Sequence, residues 1–385
     1  MHNDVISQVN PPIHLMKENP TDYTVIVLEP YYGGSHKFFL DGLQKRFPFQ
    51  FELLTLPARK WKWRMRLSAP YFARMLHDRS RVGANPENTL FFCSSFLDIA
   101  VFRSLLPRWA RNIPLVTYYH ENQFVYPVRN DDERDFHFAL TNFTSLMASD
   151  RVAFNSMYNL NSFLSGCRKL LKICPDMRLD DPEREILDKA TILYPAMDFT
   201  DIDAQADRER DTAPVILWNH RWEHDKNPDL FFQTLYEMDQ QGIDFKLVVM
   251  GKSFRYQPEI FAQARRRLDH RILHFGYAPS REEYIGWLKK SDVVVSTALH
   301  EFFGIAVVEA VRAGCRPLLP RRLSYPELFS RDFLYAEKDF QKSLIRALAS
   351  GRLQDTQAEL ITARFSWAKL AKPYEEWLIS HHDYL

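Results

Sequence analysis

Five short apolar runs, rich in β-branched and aromatic residues, recur in each half of this chain, with helical patterning between them. The first half holds TVIVLEP (24–30), TLFFCSS (89–95), LVTYYH (115–120), RVAFNS (151–156) and TILYP (191–195). The second holds VILWNH (215–220), FKLVVMG (245–251), RILHFG (271–276), DVVVSTA (292–298) and RPLLP (316–320). A short continuous apolar run fits a strand buried on both faces, as in a parallel sheet covered by helices. Strands alternating with helices build a doubly wound α/β sheet, and two such series imply two α/β domains with a cleft between them.

The polar interval DFTDIDAQADRERDTAP (198–214) has no apolar periodicity and reads as the linker. Residues 21–197 then form the first domain and 215–365 the second. Residues 1–20 read as a flexible N-terminus, and 366–385 as a C-terminal helix able to pack back on the first domain. The charged, Pro-containing stretch 175–189 reads as an exposed insertion. A length of 385 residues suits two domains, and 46% apolar content excludes a disordered chain. A net charge of +1 provides no global field for nucleic acid, so such a contact must come from a local patch. Cys93, Cys167, Cys174 and Cys315 form no CxxC pair, which fits reduced thiols better than zinc or disulfide frameworks. No stretch has the apolar length of a membrane span, and residues 1–20 lack a secretory apolar region. A cytoplasmic protein without an integral membrane segment is expected; the oligomeric state is not readable.

In open α/β sheets ligands sit beyond the carboxyl ends of strands, and every motif with chemical potential falls there. EFFGIAVVE places Glu301 in a loop and Glu309 in the following helix, seven residues between them. The helix begins near Gly304 or Ile305, after Phe303, and free amides at such a start suit a diphosphate. Glu309 stands among Ala306, Val307, Val308, Ala310 and Val311, so its carboxylate needs a partner, which a ribose diol can supply. WNHRWEHDKNP delivers Arg221 at a strand end and Lys226 just before a helix that Asp225 or Asn227 can cap. A guanidinium and an ammonium can hold two phosphates and stabilise a departing charge. Each pair alone is compatible with an ordinary charged loop; together they suit a nucleotide-activated sugar.

PYYGGSHK follows the first strand. Gly33 and Gly34 allow positive φ and close approach to a ligand, Ser35 can cap the helix, and His36 faces either the cleft or the helix surface. His120, Glu121, Asn122 and Gln123 put four polar side chains at one strand end, as a site or as a locally bonded turn. The stretch RKWKWRMRLSAPYFARMLHDRSR (59–81) carries eight Lys or Arg against one Asp. Arg59, Lys60, Lys62, Arg64 and Arg66 are interleaved with Trp61 and Trp63, a mixture suited to phosphates and unpaired bases. An anionic membrane fits the same residues, and Trp-x-Trp also fits a core strand.

With these motifs the second half resembles the retaining GT-B glycosyltransferases of family 4, built from two Rossmann-like domains. The resemblance implies that Glu301 and Glu309 hold the sugar and ribose, and Arg221 and Lys226 the diphosphate. Many members carry a Gly-Gly element with a Glu in the next βα loop; PRRLSYPELF has Glu327 but no glycine. The combination of EPYYGGSHK, RKWKWRMR, YHENQ and WNHRWEHDKNP resembles the tRNA-queuosine mannosyltransferases over about residues 22–330. That resemblance implies GDP-mannose as donor and queuosine in tRNA as acceptor. It places Gly33 and Gly34 on the donor, His120 beside the reacting carbon, and no metal or other cofactor. The alternatives left open by the residues are a lipid or polysaccharide acceptor, and a non-catalytic RNA-binding protein on the same fold.

Overall fold

The computed structural model describes residues 23–78, 86–127, 135–173, 176, 179, 181–206, 212–252 and 258–379. The expected flexible N-terminus, Cys174 and the end of the basic stretch (79–81) lie outside them.

Two six-stranded sheets form the frame, and every neighbouring pair of strands is parallel. The first contains β1 (Thr24–Tyr32), β2 (Gln50–Pro57), β3 (Thr89–Ser94), β4 (Leu115–Tyr119), β5 (Arg151–Phe154) and β6 (Ala190–Ile192), in the order β2-β1-β3-β4-β5-β6. The second contains β7 (Val215–Asn219), β8 (Lys246–Met250), β9 (Ile272–Gly276), β10 (Val293–Val295), β11 (Arg316–Pro320) and β12 (Leu334–Tyr335), in the order β12-β11-β10-β7-β8-β9. β2 has no counterpart in the sequence reading. It is an edge strand, half-exposed along most of its length, so QFELLTLP carries no continuous apolar run. β10 stops at Val295, short of the expected Ala298. Ser296 and Thr297 instead turn their hydroxyls to Tyr325 and the Lys226 carbonyl.

Each sheet is covered on both faces. Phe39 and Leu43 of helix Gly34–Arg46 pack on one side of the first, with Tyr374 and Trp377 of helix Trp367–Ile379. Phe72 and Leu76 of helix Trp61–His77 cover the other. In the second sheet, Val307 and Val308 of helix Ile305–Arg312 oppose Phe231 and Leu235 of helix Pro228–Gln240. Each such side chain contributes roughly 1.5–3 kcal/mol when fully buried.

The chain crosses between the two sheets twice, and the crossings are hydrogen-bonded: Met197 N–H donates to Phe365 O (2.8 Å) and Trp367 N–H to Met197 O (3.1 Å). Two polar stretches pack more closely than their composition suggests. Residues Pro182–Lys189, expected in an exposed insertion, form a helix that buries Ile186 in the core that also holds Phe163. Within the interval 198–214, helix Thr200–Ala204 buries Ile202 in the second core. One apolar residue in a charged helix is too little pattern to read from sequence.

The strand orders set the ligand crevices. In the first sheet the order reverses about β1, between β2 and β3. In the second it reverses about β7, between β8 and β10. The carboxyl ends of β1 and β3, and of β7 and β10, are therefore the topological switch points at which such sheets bind ligands.

Candidate active site

At the second switch point Lys226 is only 5% exposed. Its ammonium donates to His300 O at 2.6 Å, and lies 3.3 Å from Glu301 Oε2 and 3.2 Å from Asp225 Oδ2. Asn227 takes a left-handed backbone (φ 50°) that turns the chain into helix Pro228–Gln240; neither Asp225 nor Asn227 supplies the expected side-chain cap. Burial would raise the Glu301 carboxyl. Lys226 first, then His220, His300 and Arg221, outweigh burial and hold it below the usual carboxylate range. His220 and His300 are each pushed down to about 4, by burial first and by the Lys226 charge second. Both imidazoles are thus neutral at pH 7. Arg221 follows β7, is half-exposed, and pairs with Glu223 at 3.2 Å. Its charge acts on Tyr31 and Tyr126 of the first domain, so it faces across the cleft.

Helix Ile305–Arg312 starts at Gly304, whose φ of 98° favours glycine, and a Cβ there would meet Tyr325 at 3.3 Å. The Phe303 side chain does not face the crevice: it lies in the core against Tyr194 and Phe365. Glu309 is buried, and the partner sought in a ribose is already present in the protein. Arg281 Nη1 donates to Oε1 at 2.6 Å and Tyr284 OH to Oε2 at 2.8 Å. Each oxygen retains a further lone pair for a diol. Asn219, at the end of β7, donates to the Tyr284 hydroxyl at 2.8 Å, which ties Glu309 to the same switch point.

At the first switch point the Glu29 carboxylate, three residues before the end of β1, is 1% exposed. It accepts from Tyr31 N–H (2.7 Å) and Ser94 Oγ (3.2 Å), and faces His36 Nδ1 at 3.1 Å. His36 Nε2 lies 3.4 Å from Glu121. His36 is therefore buried in the crevice wall, not on the helix surface. Its ring packs against His120, centroids 4.1 Å apart. Burial first, and the His36 charge second, hold His120 well below the ordinary histidine range. Its Nε2 is buried with no hydrogen-bond partner among the described residues.

Three expectations need correction. Asn122 is buried and fully used in the turn: Nδ2 donates to Asn159 Oδ1 (2.8 Å) and Ser162 Oγ (2.9 Å), and Oδ1 accepts from Phe124 and Val125 N–H. It has no capacity for an acceptor; Gln123 beside it is also buried, its N–H bonded to Asn142. Only Gly34 has positive φ (55°); Gly33 is extended, and its lack of a side chain matters because a Cβ would lie 2.5 Å from Ala58 Cβ. Ser35 does not cap the helix, since Gly33 is the N-cap.

The basic stretch is helix Trp61–His77, not a strand. Trp61 is half-buried against Phe96 and Phe138, and Phe96 touches His36, so this helix begins at the rim of the first crevice. Arg59, Lys60 and Lys62 are exposed, as is Trp63 at 62%. Arg64 is half-buried, and Arg66 pairs with Asp135 at 2.6 Å while lying over Phe138. An Asp-x-Asp sequence, Asp201–Ile202–Asp203, also occurs. Its carboxylates pair with Arg281 (2.7 Å) and Arg312 (2.6 Å). Among the described residues no group of three His, Cys, Asp or Glu is placed to hold a metal ion.

Residues 24–197 match the family described as tRNA-queuosine alpha-mannosyltransferase N-terminal, and residues 199–359 match glycosyl transferases group 1. The tRNA-queuosine alpha-mannosyltransferase of Drosophila melanogaster is 36% identical over 323 residues, covering 81% of this chain and 83% of that protein. The chain belongs to the tRNA-queuosine alpha-mannosyltransferase family. The fold is GT-B, as expected. Sucrose-phosphate synthase from Thermosynechococcus elongatus superimposes with a TM-score of 0.67 over 92% of this chain and 98% of that one, at 13% identity. Anabaena HepE, solved with UDP, gives 0.62 over 92% and 98%, also at 13% identity. In this family member, sequence reasoning misses Glu29, His220, His300, Arg281 and Tyr284. Glu29 did carry a signal, as the lone carboxylate in an apolar strand. Arg281 and Tyr284 begin an ordinary amphipathic helix and carried none.

Proposed function

We propose that this chain transfers mannose, with retention, from GDP-mannose to the cyclopentenediol of queuosine at the wobble position of a tRNA anticodon. The observation that carries the reading is the facing of two switch-point crevices. One is lined by Arg221, Lys226 and Glu301; the other by His36, His120 and Glu121, with an exposed basic–aromatic helix at its rim.

Arg221 and Lys226 take the diphosphate and stabilise the charge that develops as it leaves. Lys226 also holds Glu301 ionised, so that carboxylate accepts hydrogen bonds from sugar hydroxyls and does not donate a proton. Glu309, steered by Arg281 and Tyr284, takes the ribose. The acceptor hydroxyl attacks from the face the phosphate leaves, and the departing phosphate oxygen receives its proton. No protein nucleophile is needed. Lys60, Lys62 and Trp63 supply phosphate and base-stacking contacts for the tRNA. No helix among the described residues is long and apolar enough to cross a membrane, and a tRNA substrate fits a cytoplasmic enzyme.

The test is transfer from labelled GDP-mannose to two tRNA pools, one containing queuosine and one lacking it, with the digested nucleosides read by mass spectrometry. A hexose mass added to queuosine alone is expected. Binding of GDP-mannose without transfer to either pool would overturn the acceptor assignment in favour of a lipid or glycan.

A further inference from the structure

Among the described residues, the first crevice sets one imidazole, His36, between two carboxylates, Glu29 and Glu121. Glu29 is saturated by close donors: Tyr31 N–H, Ser94 Oγ and the His36 ring. Glu121 is not. Its contacts, from His36 Nε2 and from Ser95 Oγ, are both at 3.4 Å, and its side chain remains 13% exposed. Burial alone would lower His36, but Glu29, ahead of Glu121, outweighs it and raises the imidazole to about 10. One cation therefore stands between two carboxylates, and it sits closer to Glu29. The His120 ring stacked on this cation is neutral and buried, and its Nε2 has no partner among the described residues. An orphan buried ring nitrogen costs stability unless a ligand completes it.

The sugar nucleotide cannot answer Glu121, because it is itself an anion whose phosphates belong to Arg221 and Lys226. Arg221 is already paired with Glu223. Among the described residues only His36 is ion-paired with Glu121, so a cation carried by the acceptor would find a partner there. In queuosine a secondary amine, protonated at neutral pH, joins the cyclopentenediol to the methylene on the base.

We propose that Glu121 selects a cationic acceptor, its carboxylate receiving the secondary ammonium beside the diol of queuosine. This rests on the function proposed above and deepens it. A charge-assisted bond next to the reacting hydroxyl fixes the diol's distance from the sugar, and it rejects neutral diols of similar shape.

The test compares Glu121→Gln with wild-type enzyme, using queuosine-containing tRNA as acceptor. Glutamine keeps the shape and an oxygen for His36. The KM for tRNA should rise at least tenfold, while binding of GDP-mannose stays within about twofold of wild type. A second measurement needs no variant. Wild-type enzyme is given tRNA whose queuosine amine has been N-methylated, which keeps the charge, or N-formylated, which removes it at similar bulk. The methylated tRNA should remain a substrate and the formylated one should lose at least tenfold in kcat/KM. Equal behaviour of the two derivatives, or an unchanged KM in Glu121→Gln, would overturn the ammonium site while leaving the transferase reading intact. Failure of wild-type enzyme to modify any queuosine-containing tRNA would overturn both.

Discussion

Replacing Lys226 by Met removes one charge and keeps most of the side chain's length. The ammonium lies 3.2–3.3 Å from two carboxylates, Asp225 and Glu301. At 3.3 Å and an effective dielectric of about 20, each attraction is worth about 5 kcal/mol before desolvation is subtracted. Breaking buried pairs of this kind costs about 3–5 kcal/mol. Because Glu301 is 22% exposed and partly rescued by water, about 2–3 kcal/mol is expected, or roughly 4–12 °C in the melting of the second domain. The loss should depend on pH in a particular sense. In the wild type Glu301 is held below its ordinary range, so its contribution is present above that range and lost as pH falls. Without Lys226 burial dominates, the carboxyl rises above its ordinary value, and protonation then favours the folded state. The gap in melting temperature between wild type and Lys226→Met should therefore be widest near pH 8 and shrink towards pH 5. Turnover should fall about 100- to 1000-fold, the usual cost of one donor to developing charge. Differential scanning fluorimetry across that pH range, with kcat at saturating donor, decides the matter. A gap that is constant with pH, or a kcat loss below threefold, would refute the electrostatic role of Lys226.

Gly33→Ala should cost about 1–3 kcal/mol by overpacking against Ala58, and Ala58→Gly in the same chain should restore the melting temperature. Trp63→Ala combined with Lys62→Glu should raise the KM for tRNA at least tenfold and flatten the salt dependence of binding, with GDP-mannose affinity unchanged; equal losses for donor and tRNA would place this helix elsewhere in the mechanism. Glu327 accepts from Met157 N–H (2.8 Å) and Tyr158 N–H (3.1 Å), capping a first-domain helix from the second domain. Glu327→Ala should cost about 1–2 kcal/mol and release those two amides to hydrogen exchange, and unchanged protection there would show that the cap is dispensable.

The fold was legible because buried parallel strands announce themselves as apolar runs, and the switch points follow once the strand order is known. The order itself depends on β2, a half-exposed edge strand, so no sequence pattern delivered it. The charged residues at strand ends were legible one by one, but their partners were not. Lys226 and Glu301 are 75 residues apart and meet only because β7 and β10 are neighbours. Asn122 misled for the opposite reason: a polar side chain at a strand end looks the same in sequence whether it serves a ligand or the turn that carries it. Glu309 lies between these cases. Its need for a partner was visible, but Arg281 and Tyr284 come from a helix whose sequence says nothing of their direction.

The loop bearing Glu301 couples the two crevices. His300 packs on Tyr126 of the first domain, centroids 5.7 Å apart, and Phe302 O accepts from Ser156 Oγ at 2.7 Å. Glu301 is thus flanked on both sides by residues anchored to the opposite domain, while its own carboxylate is held by Lys226 of its own. If the domains part, His300 and Phe302 lose their supports and Glu301 loses its defined position, although Lys226 still holds its charge. On the role proposed for Glu301, sugar binding in the reactive geometry would require the first domain to be in place. That arrangement suits an enzyme whose acceptor arrives on a large, slowly diffusing RNA, because it disfavours transfer of the sugar to water while the cleft is open.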